Sequence, residues 1–254
     1  MIFLNLDMNI SVMQLYYFYR QNGDSTICMT KQQHAEHTLE FIWLDSLRHD
    51  LVGNADAWQQ QVYAQTGLVL NEFHLKDLLN IEHPCNFDSL EAYDLLMFRK
   101  LISPDDQIFE NETALESHES VLGLATTPMS FILTPNVLLS VREKGNKAVE
   151  NYIQRLDLIQ GRSIGEQNAP RKLPNSPADL SLRLLNSMID GYLDLRSPLT
   201  RRVEYWQQQL LQGNRRFQQW HQLLHENMAC QLLANVCEEQ VETLQQFRAE
   251  LVAN

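Results

Sequence analysis

Residues 130–142 read Ser130-Phe131-Ile132-Leu133-Thr134-Pro135-Asn136-Val137-Leu138-Leu139-Ser140-Val141-Arg142. Two apolar runs, Ser130 to Leu133 and Val137 to Val141, flank a Thr-Pro-Asn break. Branched and large apolar side chains suit strands, and Pro and Asn pre-form the turn between them, so the stretch predicts a β-hairpin. Directly after it, residues 146–160 place Val149, Tyr152, Ile153 and Leu156 on one helical face, and Gly161 closes that helix. A buried hairpin followed by an amphipathic helix sets the fold class as α/β.

Working back towards the N-terminus, the same alternation recurs. Tyr93 to Leu101 and Glu40 to Leu44 are strand candidates, the latter apolar enough for burial on both faces. Between them Asn54 can cap a helix over 55–65 and Asn71 one over 72–80. Val12 to Arg20 and Thr26 to Thr30 predict a hairpin around Asn22-Gly23, the dipeptide of tight two-residue turns. Residues 102–128 carry Asp105, Asp106, Glu110, Glu112, Glu116 and Glu119 without Lys or Arg, which reads as a solvated loop or a cation-attracting surface.

Towards the C-terminus the character changes after a Gly- and Pro-broken linker, residues 161–175. Ser176-Pro177-Ala178-Asp179 is a helix start, with a capping hydroxyl, proline in the first turn and a carboxylate near the positive end. Pro198 is expected to kink or break that helix. After Gly213-Asn214, a stripe through Phe217, Trp220, Leu224, Met228, Leu232, Val236, Val241, Leu244, Phe247 and Leu251 predicts one helix over 215–251, on the order of 55 Å long. A helix of that length needs partners along its apolar stripe. The chain thus divides into an α/β domain at 1–160, a linker at 161–175 and long helices at 176–254.

The formal charge of −12 is unevenly placed. Residues 1–150 hold 9 basic and 21 acidic side chains, whereas residues 151–254 hold 11 of each, so the whole excess lies in the α/β part. Such a field repels phosphate backbones and anionic lipid, which disfavours nucleic acid and electrostatic membrane-surface binding, and it favours cations. No run approaches the roughly 20 apolar residues of a membrane-spanning helix, and no targeting motif is visible, so a cytoplasmic location is expected. Cys28, Cys85, Cys230 and Cys237 form no CxxC pair and read as reduced thiols. Cys230 and Cys237, seven apart, can share the seam of the last helix.

The strong enzyme signatures, a P-loop, GxGxxG, GxSxG and HExxH, are missing, and no enzyme is expected. His221 and His225 lie four apart on one helix face, with Glu226 and Cys230 just beyond, a spacing that can hold zinc if a third ligand arrives from elsewhere. His34 and His37 are a weaker pair. Asp77 sits among Leu75, Leu78 and Leu79; by itself it reads as a solvated charge on the polar side of a short helix.

Three segments in order resemble the cytosolic domain of the CorA family of divalent-cation transporters, which includes Mg/Co channels and ZntB-like zinc transporters. They are Asp77-Leu78-Leu79-Asn80 followed by His83-Pro84, Asp88 and Tyr93; the hairpin from Phe131 to Lys144; and Ser187-Met188-Ile189-Asp190-Gly191-Tyr192 with Val203-Glu204 downstream. The resemblance covers roughly residues 40–210. It implies an α/β/α sandwich with a mixed sheet, then long stalk-type helices leading to a membrane domain, assembled as a homopentamer on the cytoplasmic side of the plasma (inner) membrane. In the family, an aspartate matching Asp77 lies at a subunit interface and binds regulatory Mg²⁺ with an acid of the neighbouring stalk.

The resemblance therefore implies Mg²⁺ as the regulatory ion at Asp77, with Co²⁺ or Zn²⁺ as further candidate ions. It also implies membrane attachment only through a C-terminal segment missing here, along with the channel helices and their Gly-Met-Asn signature. Transport by this chain alone is not expected. Arg201-Arg202 stand where the family is usually acidic, and near the expected stalk partner of Asp77 the sequence has Phe247 and Arg248, with Glu242 and Glu250 close by. The expected function is the regulatory and oligomerising domain of a CorA-like transporter. The alternatives are a soluble interaction protein of the same fold and a metal-dependent enzyme built on His221 and His225.

Overall fold

The structure is a computed structural model that describes residues 13–20, 27–33, 38–102, 125–160, 173–211 and 219–253. The strands are β1 (Gln14–Arg20), β2 (Ile27–Thr30), β3 (Thr38–Leu47), β4 (Asn86–Ser89), β5 (Asp94–Leu101), β6 (Thr126–Thr134) and β7 (Val137–Arg142). The helices are α1 (Arg48–Gly53), α2 (Ala55–Thr66), α3 (Glu72–Leu79), α4 (Lys147–Gln160), α5 (Pro177–Leu193), α6 (Arg196–Leu211) and α7 (Trp220–Ala253). The Asn22-Gly23 turn, His34, His37, Gly213-Asn214, Phe217 and most of the acidic segment and of the linker lie outside the described residues.

The expected β6–β7 hairpin forms, with Thr134 opposite Val137 across the Pro135-Asn136 turn. Proline holds φ negative there, and among the described residues only Gly67 and Gly145 have positive φ, so the turn is not of the primed type. The Asn136 carbonyl accepts from the Ile42 amide at 2.9 Å and so opens the parallel ladder between β3 and β7. The sheet order is β2-β1-β3-β7-β6-β5-β4, antiparallel except at β3–β7, which makes it mixed.

Side chains alternate across this sheet with period two. Phe41, Trp43, Leu96, Phe98, Met129, Phe131 and Leu138 face one way, onto Val149, Tyr152 and Leu156 of α4, Leu180, Leu184, Leu185 and Met188 of α5, and Phe247 of α7. Leu44, Leu95, Met97, Ile132, Leu139 and Val141 face the other way, onto Leu51 of α1, Trp58 and Val62 of α2, and Leu78 of α3. The result is the expected α/β/α sandwich carrying a long C-terminal helix. The 161–175 linker does not divide it in packing, because α5 and the end of α7 supply much of one layer.

Predicted caps are present. Asn54 Oδ1 accepts from the Ala57 amide at 3.0 Å, Asn71 Oδ1 from Phe73 at 2.9 Å and Ser176 Oγ from Asp179 at 3.1 Å. The helix after Ser176 does break, at Asp194-Leu195, and Pro198 falls in the first turn of α6, where its missing N–H costs nothing. One expectation changes. Residues 126–128 are strand rather than loop, because Thr126, Thr127 and Pro128 pair with Leu101, Lys100 and Arg99. The last helix is described only from Trp220, since residues 215–218 lie outside the described set.

At the ends of the parallel pair lies a buried ionic cluster. Arg142 donates from Nε to both Asp45 oxygens, at 3.2 and 3.0 Å, and Nη2 stands 2.9 Å from Oδ2. Ser140 Oγ donates to Asp45 at 2.7 Å and accepts from Trp43 Nε1 at 2.9 Å. Every strong donor and acceptor in the cluster therefore has a partner, as burial demands. Among the described residues no helix is long and apolar enough to cross a membrane.

Candidate functional site

Helix α3 presents Asp77 at its C-terminal end. Asn71 starts the helix, and Arg48 Nη1 donates to the Leu79 carbonyl at 3.1 Å, pinning its end beside the sheet. The following turn closes through Asn80, whose amide bonds the Asp77 carbonyl at 3.1 Å and whose carbonyl accepts from the His83 amide at 3.2 Å. That turn carries His83 back over α3, so its Nε2 stands 3.5 Å from Asp77 Oδ1. The Asp77 side chain is 35% exposed, so its carboxylate is accessible to an ion.

One turn earlier on the same face, His74 is buried. Its Nε2 is 2.9 Å from Asp88 Oδ2 and its Nδ1 2.8 Å from the Tyr93 hydroxyl. A carboxylate only accepts, so Nε2 carries the proton in the neutral ring and Nδ1 accepts from the phenol. The phenol oxygen in turn accepts from the Asn71 amide at 2.9 Å, and burial raises the Tyr93 pKa. Asp77 and Asp88 are thus held by two histidines. Residues 72–94 carry six acids, Glu72, Asp77, Glu82, Asp88, Glu91 and Asp94, against the single Lys76, so the surface attracts cations.

On the other side of the same sheet edge, α7 is anchored by polar contacts. Gln240 Nε2 donates to the Arg99 carbonyl at 2.7 Å and to the Tyr192 hydroxyl at 2.6 Å, and Tyr192 donates to the same carbonyl at 3.1 Å. Glu239 accepts from the Cys85 amide at 3.4 Å, and Cys85 Sγ accepts from the Arg99 amide at 3.3 Å. Burial pushes the Cys85 thiol up to about 11, and the Glu239 carboxylate adds to that. Thiolate fraction governs alkylation, so exposed Cys230 is expected to react well ahead of Cys85 at neutral pH. Timed iodoacetamide labelling with peptide mapping checks the order, and equal rates would contradict it.

Further up α7, Glu226 is buried against α6, accepting from Arg202 Nη2 and Trp206 Nε1. The Arg202 hydrogen bond holds its carboxyl below the ordinary glutamate range. A lowered folded-state value means this stabilisation is complete above the unfolded glutamate pKa, about 4.3, and is lost as pH falls through the lower folded value. Acidification below about pH 4.3 is therefore expected to release α6 from α7, seen as faster amide exchange in residues 196–211. Glu226→Gln should show that exchange already at neutral pH, with little further change on acidification.

His221 and His225 are both exposed on α7. Their neighbour Glu226 is turned to Arg202 and Trp206, and Cys230 is exposed. Among the described residues no group of three or more His, Cys, Asp or Glu side chains is placed to hold a metal ion. Phe247, near the expected stalk position, is buried in the core, whereas Glu242 and Arg248 are exposed beside it. His74, Arg99 and Gln240 carry no sequence signal of these roles, and Asp88, Tyr93 and Tyr192 are visible in the sequence only as parts of motifs.

The sequence matches the family model described as CorA-like Mg²⁺ transporter protein over residues 41–246. The complete CorA magnesium transporter from Methanocaldococcus jannaschii is 14% identical and superposes with a TM-score of 0.59, covering 94% of this chain and 63% of that one. The full-length CmaX protein is 15% identical with a TM-score of 0.55, again covering 94% and 63%. The chain thus spans about 63% of the length of either structure, and at such identities the likeness concerns the fold. A comparison with curated proteins finds no match. The matched segment begins in β3, takes in the whole Asp77 site and ends within α7, and on that match the chain belongs to the CorA-like Mg²⁺ transporter family.

Proposed function

We propose that this chain is the cytosolic regulatory and oligomerising part of a divalent-cation transporter, with Asp77 as a regulatory Mg²⁺ site between copies. The observation that carries this is the Asp77 carboxylate itself, one-third exposed at a helix end within an acidic surface. Mg²⁺ keeps most of its water and takes one or two carboxylates, and Asp77 offers an accessible one beside His83. A second copy would bring another acid; two carboxylates repel until a hydrated cation bridges them. Trp220, Leu224, Met228 and Leu232 are exposed at four-residue spacing along α7, an apolar stripe suited to packing against other copies.

The test is a Mg²⁺ titration followed by amide exchange and sedimentation. Millimolar Mg²⁺ is expected to slow exchange in residues 72–88 and to favour oligomers. Asp77→Ala should shift the half-response to at least about tenfold higher Mg²⁺, about 1.4 kcal/mol of binding. An unchanged response in Asp77→Ala overturns the assignment. A response to Zn²⁺ that is lost on replacing His221 and His225, with none to Mg²⁺, favours the His pair instead.

A further inference from the structure

The four-residue edge strand β4 is gripped from both sides of the sheet. Along Asn86-Phe87-Asp88-Ser89 the side chains alternate, so Asp88 turns to α3 and bonds His74, while Phe87 turns to α7. The Phe87 ring lies 5.6 Å from that of Phe247. The loop before the strand, residues 80–85, is held in the same two-sided way. Its His83 stands on Asp77, and the Cys85 amide donates to Glu239 of α7.

One residue joins the two grips. Arg99, on the neighbouring strand β5, donates from Nη1 to the carbonyls of Ile81 and His83, both at 2.9 Å. Its Nε and Nη2 donate to Thr126 Oγ1 and O at 2.8 and 3.2 Å, which fixes the guanidinium plane. The carbonyl of the same residue receives Gln240 of α7 and Tyr192 of α5. The loop that seats His83 against Asp77 and the helix that forms the stalk therefore share one anchor. Four guanidinium N–H groups and the carbonyl of Arg99 are bonded at this junction, so a shift of the loop or of α7 strains bonds to the same residue.

We propose that β4 and loop 80–85 form a strap around the sheet edge that couples the Asp77 site on α3 to the seating of α7, with Arg99 as its positioning residue. The cation half of this rests on the regulatory role of Asp77 proposed above; the mechanical half does not. A cation held at Asp77 restrains the end of α3 and, through the turn that seats His83 on it, the strap, so α7 is held more firmly on the opposite face. Linkage makes the effect reciprocal, so a change in α7 seating alters α3.

Hydrogen exchange on the 254-residue chain tests both halves. Gln240→Leu removes the side-chain bonds from α7 to Arg99 and Tyr192. It is expected to speed exchange of α3 amides, residues 72–79, by about fivefold although they lie on the other side of the sheet. Arg99→Lys loses the fork to Ile81 and His83, and in that background Gln240→Leu should add no acceleration in α3. Wild-type rates in α3 of Gln240→Leu overturn the coupling.

Mg²⁺ supplies an arm that needs no change in α7. In the wild-type chain it should slow residues 72–88 and 236–247 together, and in Arg99→Lys residues 72–88 alone. A response confined to 72–88 in the wild type overturns the coupling and leaves the cation site standing. No Mg²⁺ response anywhere, with α3 still accelerated in Gln240→Leu, overturns the cation site and supports the strap.

Discussion

Asp45→Ala is expected to lower folding stability by about 3–5 kcal/mol, a large share of the roughly 5–15 kcal/mol typical of a whole domain. The reason is the state in which it leaves its partner. Asp45 and Arg142 side chains are 2% and 6% exposed, so the guanidinium loses its carboxylate without gaining water. The Ser140 hydroxyl loses an acceptor as well, and with it the orientation that lets it receive the Trp43 indole. Urea unfolding followed by tryptophan fluorescence measures the loss.

The double variant Asp45→Ala with Arg142→Met separates charge burial from packing. Replacing a buried ion pair by apolar groups is often close to neutral, so it should recover most of the stability. If the double variant is as unstable as the single one, the cost arises from packing and not from the unpaired charge. The exposed pair Arg20–Glu40, with side chains 54% and 23% accessible, is the contrast: breaking it should cost about 0–1 kcal/mol.

Phe247→Ala is expected to cost about 3–5 kcal/mol, the range for deleting a buried aromatic ring. The ring is 1% exposed and packs with Phe87 in the core beneath the sheet. Its loss opens a cavity at the point where α7 meets β4, so unfolding should begin with release of the end of α7. Amide exchange is expected to rise first in residues 240–253 and in β4, before the central strands. Val252→Ala, at a position 78% exposed, should stay within about 0.5 kcal/mol of wild type. A loss below about 1 kcal/mol for Phe247→Ala would show that α7 is not seated on the sheet in solution.

Elements with strong local chemistry were readable from the residues alone. The β6–β7 hairpin follows from its apolar runs and Pro135-Asn136, and α2, α3 and α5 from Asn54, Asn71 and Ser176 with the patterns behind them. Strand β4 was not readable. Asn, Asp and Ser are poor strand formers, and the segment is extended because its backbone pairs with Leu95, Leu96 and Met97 of β5. Helix α1 was missed because Leu47 makes no side-chain cap and the helix has only six residues.

The candidate site divides in the same way. Asp77 was singled out from a motif, yet its partner His83, the buried His74–Asp88 pair and the Arg99 junction came from the fold. Tyr192 and Gln240 reach Arg99 across 93 and 141 residues of chain, and Arg142 reaches Asp45 across 97. No periodicity links positions so far apart.

The sequence by itself determined the α/β class, the caps, the long last helix, the family and the location of the −12 charge in the first 150 residues. The family rests on the resemblance of three ordered motifs, and the rest depend on composition or on interactions spanning a few residues. Only the tertiary structure decided that α5 and α7 complete the sandwich and that Asp77 and the α7 anchor flank one sheet edge. It also decided that Arg99 belongs to both grips. Those facts depend on strand order and register, which place residues about a hundred positions apart within hydrogen-bond reach, and local preference carries no information at that range.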